Sequence, residues 1–387
     1  MKIIIYKEDF VEGISKASNL IPHKTGAAYL RTIWFRTGSD SVKIMSTDSN
    51  VEFTGEYRAD ILEEGLIGTP GRKISDLIRK LKTGPITINS DEKNGILFVQ
   101  QEKRHFKLPL SESSWFPELD EYPEENLRAE LSGNKFKEIL EKSLFCISDD
   151  DTMQGMTCLK IAPGLPEEYV ELCAFNGHQL SLYSYNNQEL RQILPEKGIM
   201  IAKKYLLDLR KWVPESDIEL SITDSKIFFR TTDKKECFSL PLSMHQFPNY
   251  RDFIKNYSEK LGSPLIARKN DLVDSLERIL IFNTDSQMST LMRLGPEEIY
   301  MTSTAVDSGE AEEIVGCSYQ GDLSEVVFNT KSLLEILAHI DDENIIMRFA
   351  GPIEPCKING DNNEEYYVMT MPVQIEEETY YTEEETD

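Results

Sequence analysis

Apolar residues at three- and four-residue spacing mark six amphipathic segments in this chain, and the segments come in pairs. Residues 7–19 (KEDFVEGISKASN), 132–147 (SGNKFKEILEKSLFCI) and 267–282 (ARKNDLVDSLERILIF) carry the period of a helix. So do residues 71–82 (GRKISDLIRKLK), 201–212 (IAKKYLLDLRKW) and 329–341 (NTKSLLEILAHID). In this second set a basic residue stands four places before an acid: Arg72/Asp76, Lys204/Asp208 and Lys331/Glu335. Downstream the period changes to two, in ITINSDEKNGILFVQQEKRHFKLPL, IELSITDSKIFFRTTDKKECFSLPL and IIMRFAGPIEPCKINGDNNEEYYVMTMPV. That alternation predicts short strands joined by tight turns.

Pro109, Pro241 and Pro372 close these stretches at intervals of 132 and 131 residues, and Pro117 and Pro248 stand 131 apart. Helix, helix, hairpin and proline therefore recur three times in one order, the signature of an internal repeat. The expectation is an α+β chain of three copies of one domain, each with two helices packed on antiparallel sheets. The boundaries are 1–125, 126–256 and 257–375, set by the polar, turn-rich stretches PEENLRAE and IKNYSEKLGSP. Residues 376–387 (EEETYYTEEETD) form a separate acidic tail, too poor in aliphatic side chains to fold and expected to be disordered.

At 387 residues the chain is too long for one core, and its 40% apolar content excludes wholesale disorder. No apolar run reaches the length of a membrane span, and MKIIIYKEDF lacks a leader pattern. Six scattered cysteines without a CxxC exclude a disulfide framework or zinc site. A cytoplasmic protein without membrane attachment is expected.

Net charge changes the picture. With 42 basic and 67 acidic residues the chain carries −25, which at face value argues against a polyanion partner. The distribution says otherwise. The six helical segments hold eighteen basic and twelve acidic residues, a net +6, leaving −31 on the remainder. A basic helix face is usually just solvated, but segregation across three repeats suits duplex DNA held against the helices and repelled elsewhere. Lys16, Lys24, Lys73, Arg79, Lys80, Lys137, Lys203, Lys204, Arg210 and Lys211 are the expected phosphate neighbours. Without a helix-turn-helix, zinc-finger or RNP signature, binding should be independent of sequence and sensitive to salt.

Catalytic chemistry is missing. There is no GxxxxGK[ST], and GTPGRK at 68–73 has the wrong spacing; HExxH, GxSxG and GxGxxG are absent too. The run Asp149, Asp150 and Asp151 reads as a polar loop rather than a magnesium site. His178, in the turn-like AFNGHQLSLYS, has no nucleophile or orienting carboxylate beside it. No catalytic residue, metal or cofactor is expected. An acidic interaction scaffold or DNA mimic is the alternative to a DNA-associated protein, and a hydrolase using His178 is a distant third.

The threefold repeat, the NGH turn, FPNYRD, GEAEEIVGCSYQG (309–321), FNTKSLLEIL (328–337) and YYVMTMPV together resemble the bacterial DNA polymerase III beta subunit, the sliding clamp. The resemblance runs in register from residue 1 to about 375. It implies a DNA clamp fold, a homodimer joined head to tail into a ring around double-stranded DNA, and a processivity factor with no catalysis of its own. It also implies a pocket for Q-x-x-L-x-F peptides of the replicative polymerase, the clamp loader and repair proteins. Carried over by position, that pocket comprises Met153, Phe175, Gly177, His178, Leu180, Pro248, Phe253, Asn329, Met369, Met371 and Pro372. The subunit contact would set Lys103, Arg104 and Phe106 against Ile281, Phe282, Glu310, Glu312 and Glu313 of a second copy. Gln179 and Asp252 stand where the family usually has arginines, which implies a less basic pocket rim. HKTGAAYL around Lys24 replaces a proline-rich stretch, and the acidic tail passes the usual end; a solvated end is the expected reading, with a regulatory arm that competes with peptides the alternative.

Overall fold

A computed structural model describes residues 1–22, 27–284, 288–303 and 309–374. The chain gathers into two compact units. The first holds Met1–Leu140, Ile161–Val170 and Asn186–His245; the second holds Glu141–Lys160, Glu171–Tyr185 and the chain from Gln246 onward. Lys24 and the tail 376–387 lie outside the described residues.

One motif is built three times. A strand leads into a helix, and a later helix leads into a three-stranded meander whose first strand pairs antiparallel with the leading strand. The first copy uses Lys2–Tyr6, α1 (Lys7–Asn19), α2 (Gly71–Lys80) and the meander Pro85–Asp91, Ile96–Gln101, Arg104–Pro109. The second uses Arg128–Ser132, α3 (Gly133–Leu144), the short α4 (Gln188–Ile193), α5 (Lys203–Trp212) and the meander Asp217–Ile222, Lys226–Thr231, Glu236–Pro241. The third is preceded by α6 (Tyr250–Ser258). It uses Leu265–Arg268, α7 (Lys269–Leu280), α8 (Thr330–Ala338) and the meander Asn344–Phe349, Cys356–Gly360, Tyr366–Thr370.

A hydrogen bond marks the equivalence. The first backbone N–H of the leading helix donates to the carbonyl that follows the second helix: Lys7 to Gly84 at 3.1 Å, Gly133 to Ser216 at 3.2 Å, and Lys269 to Glu343 at 2.9 Å. In the outer copies the same lysine also reaches the end of the second helix. Lys7 Nζ donates to the Arg79 carbonyl at 2.9 Å, and Lys269 Nζ to that of Ile340 at 2.7 Å. A cation there satisfies carbonyls that have no partner within the helix and opposes the helix dipole.

In the first unit the second copy's meander closes on a strand of the first copy, Glu52–Arg58, with Glu236 opposite Gly55 and Phe238 opposite Phe53. An eight-stranded antiparallel sheet results. Its inner face is covered by α1, which packs on both α2 and α5. Phe10 of α1 stacks on Phe35 with centroids 5.9 Å apart and meets the Tyr57 ring edge-on at 6.0 Å. A Cβ on Gly13 would lie 2.0 Å from that ring, so only glycine lets α1 settle this closely. Each such buried aromatic contributes about 1.5–3 kcal/mol.

In the second unit the third meander closes on Gln179–Asn186, with Leu180 opposite Met369 and Leu182 opposite Tyr367. The sheet continues through Leu265–Arg268 to Glu312–Tyr319, Glu298–Ser303, Ser289–Leu294 and Glu325–Asn329. The first meander has no such closure: Arg104–Pro109 is the outermost strand of its five-stranded sheet among the described residues.

One expectation changes. Residues 250–258, partly assigned to a boundary loop, are helical, because Asn249 caps α6 and Tyr250, Phe253, Ile254 and Tyr257 place one apolar stripe on its packed side. The acids of the repeat marker take partners of their own: Asp76 and Asp208 pair with Arg79 and Lys211 three residues onward. Arg72 instead donates to the Ile21 carbonyl at 2.7 Å.

Candidate functional site

The second unit holds a cavity of about 460 Å³. One wall is the turn before Gln179–Asn186. The Asn176 side-chain oxygen accepts the N–H groups of His178 at 3.0 Å and Gln179 at 2.8 Å, and Gly177 adopts φ +93° with nothing where a Cβ would stand. The second wall is the start of α8, capped by Asn329, whose side-chain oxygen accepts the Ser332 N–H at 3.0 Å. The third is the chain after Tyr366–Thr370. It is pinned by the Met371 N–H donating to the His178 carbonyl at 2.9 Å and by the Val373 N–H donating to that of Val327 at 2.8 Å. Phe328, Leu333, Met371, Pro372 and Val373 make the lining apolar, while Asn176, His178, Gln179 and Ser332 supply polar groups. A largely apolar cleft with few fixed polar groups suits a short peptide's side chains.

Beside the cavity lies an apolar cluster of Cys173, Leu180, Leu182, Tyr250, Tyr367 and Met369, with Phe175, Phe247, Phe253, Ile254 and Tyr257 packed against it. The Tyr250 hydroxyl donates to Glu171 at 2.5 Å and Arg251 donates to the same carboxylate at 2.7 Å, fixing the start of α6. Burial first, then the Glu171 hydrogen bond and charge, push the Tyr250 pKa up.

Nine of the eleven expected pocket residues fall into two groups. His178, Asn329, Met371 and Pro372 line the cavity, and Gly177 shapes its turn. Phe175, Leu180, Phe253 and Met369 belong to the cluster, where Leu180 and Met369 are 1% and 3% exposed and serve as core. The Pro248 carbonyl accepts the Tyr250 N–H at 2.8 Å just ahead of α6. Met153 is exposed, on the turn Asp151–Thr157, with its sulfur accepting the Ser148 hydroxyl at 3.4 Å. Phe328, Ser332, Leu333, Thr370 and Val373 were missed, although each adjoins an expected residue or lies one helical turn from Asn329. Gln179 is 5% exposed and donates to the Ser332 carbonyl at 3.4 Å, which places a neutral amide in the wall. Asp252 stays on α6, bonded to the Asn249 side chain.

The expected DNA-facing cations concentrate on α2 and α5, the two helices that flank α1 in the first unit. Lys73, Arg79, Lys80, Lys204, Arg210 and Lys211 are exposed there, and Lys137 and Lys203 are half-buried. Lys16 is different. Its ammonium is held 2.8 Å from both Glu12 and Glu236, with 14% of the side chain exposed.

The expected contact residues lie on two sheet edges. On Arg104–Pro109, Phe106 is half-buried and Lys103 exposed, and Arg104 pairs with Glu102 at 3.1 Å. Phe238, the equivalent of Phe106 in the second copy, is 2% exposed because Glu52–Arg58 closes over it. In the second unit Ile281 is 77% exposed, Phe282 is half-buried, and Glu310 and Glu312 are exposed. Glu313 is held by Arg278 at 2.6 Å, and that hydrogen bond keeps its carboxyl below the ordinary range. Among the described residues no group of three or more His, Cys, Asp or Glu could hold a metal ion, and no helix is long and apolar enough to cross a membrane.

Residues 1–120 match the DNA polymerase III beta subunit N-terminal domain, and residues 261–374 match the C-terminal domain of the same subunit. The chain is 21% identical over 382 residues to the beta sliding clamp of Caulobacter vibrioides (strain NA1000 / CB15N), covering 97% of this chain and 100% of that protein. It is 22% identical over 380 residues to the beta sliding clamp of Pseudomonas aeruginosa, with the same coverage. The crystal structure of the DNA polymerase III subunit beta from Pseudomonas aeruginosa superposes with a TM-score of 0.87 at 20% identity, over 97% of this chain and 100% of that one. A sliding clamp from Bartonella birtlesii bound to griselimycin gives 0.87 at 22% identity, with the same coverage.

Proposed function

The chain belongs to the DNA polymerase III beta subunit family, and from that membership we propose that it is a DNA polymerase processivity factor, a sliding clamp without catalytic chemistry. The observation that carries this reading is the occurrence of both end domains of one subunit, in order, at the two ends of a chain built on one threefold motif.

The ring itself is part of the proposal. Two meanders find a partner strand inside the chain and the first does not, so Arg104–Pro109 offers unpaired backbone groups and a half-covered Phe106. Its natural complement is the strand that corresponds in the third copy to Glu52–Arg58, namely Glu312–Tyr319 of a second chain. Basic Lys103 and Arg104 would approach acidic Glu310 and Glu312, and Phe106 would approach Ile281 and Phe282. Such a contact is head to tail, and two copies close it into a ring.

Duplex DNA would pass the helices and meet the exposed cations of α2 and α5. Those contacts are to phosphates, weak and independent of sequence, as sliding requires. The net charge of −25 is compatible with DNA because topology, not affinity, would hold the ring in place. The cavity of the second unit would take Q-x-x-L-x-F peptides from the replicative polymerase, the clamp loader and repair proteins, with apolar side chains entering between Leu333 and Met371.

Small-angle X-ray scattering with absolute mass tests the assembly. The expected result is a mass twice 44.4 kDa with the distance distribution of a hollow ring. A monomer at high concentration would overturn it.

A further inference from the structure

The second unit's site has a counterpart in the first. Where Leu180, Leu182, Tyr367 and Met369 meet across the second unit's strand pair, the equivalent pair in the first presents Glu52, Thr54, Cys237 and Ser239, 128 or 130 residues earlier. In each unit the segment that ends a repeat, WFPELDEY or QFPNYRDF, belongs to this region. The construction is shared and the chemistry has changed from apolar to polar.

In the first unit that segment is a strap across the outer face of the sheet. Phe116 meets Trp34 edge-on at 5.3 Å, Asp120 pairs with Lys226 at 2.7 Å, and Tyr122 lies 3.7 Å from the Arg230 guanidinium, to which Glu124 is also bound. Between strap and sheet lies a cleft of about 510 Å³. Part of its floor is a cross-strand row, Arg36 opposite Lys43 and Lys43 opposite Glu56, extended by the Glu56 N–H donating to the Lys235 carbonyl at 2.8 Å. Like charges directly opposite on a sheet are destabilising unless compensated. Arg36 and Lys235 rest over the rings of Phe116 and Tyr57, at 4.8 and 4.6 Å. Among the described residues, neither of them nor Lys43 has a carboxylate within the 4.0 Å of an ion pair. Tyr122 also lines the cleft, and its hydroxyl is buried without a hydrogen-bond partner among the described residues.

We infer that this cleft is a second peptide site, and that it takes an acidic segment carrying an aromatic residue. The strap demonstrates the chemistry, since its own acid–tyrosine–acid run is held by Lys226 and Arg230 on the neighbouring part of the same face. Arg36 and Lys43 offer a second pair of cations on this face with no carboxylate in ion-pair contact among the described residues, although Glu56 stands across from Lys43 on the next strand, and Lys235 beside them is influenced by the Glu12 and Asp233 charges. Glu118 and Glu121 line the strap side and Glu56 the sheet side, while Asp120 and Glu124 are already engaged by Lys226 and Arg230, so a ligand's carboxylates must turn toward Arg36 and Lys43. That the ligand is a peptide rests on the role proposed for the second unit.

The probe is a fluorescein-labelled hexapeptide, Glu-Glu-Asp-Tyr-Glu-Glu, followed by anisotropy against the full chain, with a labelled Q-x-x-L-x-F peptide measured in parallel. On a chain of net charge −25, unspecific attraction of this probe is not expected. The expected result is saturable binding that weakens with salt and falls more than about tenfold in Lys43→Glu with Lys235→Glu, a loss of about 1.4 kcal/mol. Binding of the second peptide stays unchanged, which also shows that the variant is folded. No saturable binding of the acidic probe, or equal binding by the variant, would overturn the inference. Failure of the Q-x-x-L-x-F peptide alone would count instead against the proposed function.

Discussion

Lys16 Nζ lies 2.8 Å from Oε2 of Glu236, 220 residues away in sequence, and the pair ties α1 of the first motif to the meander of the second. Glu236 also accepts the Tyr57 hydroxyl at 2.7 Å and the Trp212 indole N–H at 3.1 Å. One carboxylate, 6% exposed, therefore collects three donors from three elements. Glu236→Ala would leave the mostly buried Lys16 ammonium with the exposed Glu12 alone and the buried Tyr57 and Trp212 donors unpaired. The expected cost is about 3–5 kcal/mol in urea unfolding. A loss below 1 kcal/mol, the range of an exposed pair, would show that the network is dispensable.

The same network sets an alkaline limit. Burial disfavours the Lys16 charge, but hydrogen bonds to Glu12 and Glu236 outweigh it and raise the pKa; burial and the Glu236 charge raise that of Tyr57. Both groups hold their protons longer folded than unfolded. Their contribution is complete below the ordinary values of 10.5 and 10.0 and is lost as pH climbs through the raised ones. Unfolding free energy should therefore decline above about pH 10 in the parent chain. It should decline less steeply in Lys16→Met with Tyr57→Phe, and equal slopes would contradict this.

The cavity and the neighbouring core should respond differently to mutation. Met371→Glu places a charge in the apolar lining and is expected to weaken a Q-x-x-L-x-F peptide at least about tenfold, with the melting temperature unchanged. Leu180→Ala, at a fully packed position, should instead cost about 2–5 kcal/mol of stability. Calorimetric titration and thermal melts separate the two, and loss of peptide binding without loss of stability in Leu180→Ala would reassign that residue to the pocket.

Phosphate contacts can be counted from salt dependence. Each one contributes about 0.9 to the slope of log affinity against log salt. Arg79→Glu with Arg210→Glu should lower that slope by about 2 on a short duplex. A slope equal to the parent's would remove these residues from the DNA path.

For the subunit contact, Phe106→Ala with Phe282→Ala is expected to give monomers at concentrations where the parent is dimeric. Analytical ultracentrifugation decides, and a persistent dimer refutes the edge-to-edge assignment.

Local periodicity reveals the helices well. Residues 7–19 coincide with α1, and the other five expected helices fall within a few residues of α2, α3, α5, α7 and α8. The miss at α6 was avoidable, since Tyr250, Phe253, Ile254 and Tyr257 stand at i, i+3, i+4 and i+7. The destination of a charge was not legible. Lys16 lies on an amphipathic helix as Lys73 and Arg79 do, with Glu12 one turn before it, and only the pairing of Glu236–Pro241 with Glu52–Arg58 brings a second, buried acid to it. Pairings between strands 180 residues apart leave no local trace, which also hid the contrast between closed Phe238 and half-covered Phe106.

That contrast matters for the chain before it meets its partner. An open strand with an apolar side chain is a template for indiscriminate association. Here the strand and the turn before it carry Lys103, Arg104 and Lys107, which keep water on the edge and repel a second copy of the same edge. In the ring proposed above, the same charges would admit the acidic strand of a second chain while turning away a duplicate of this edge.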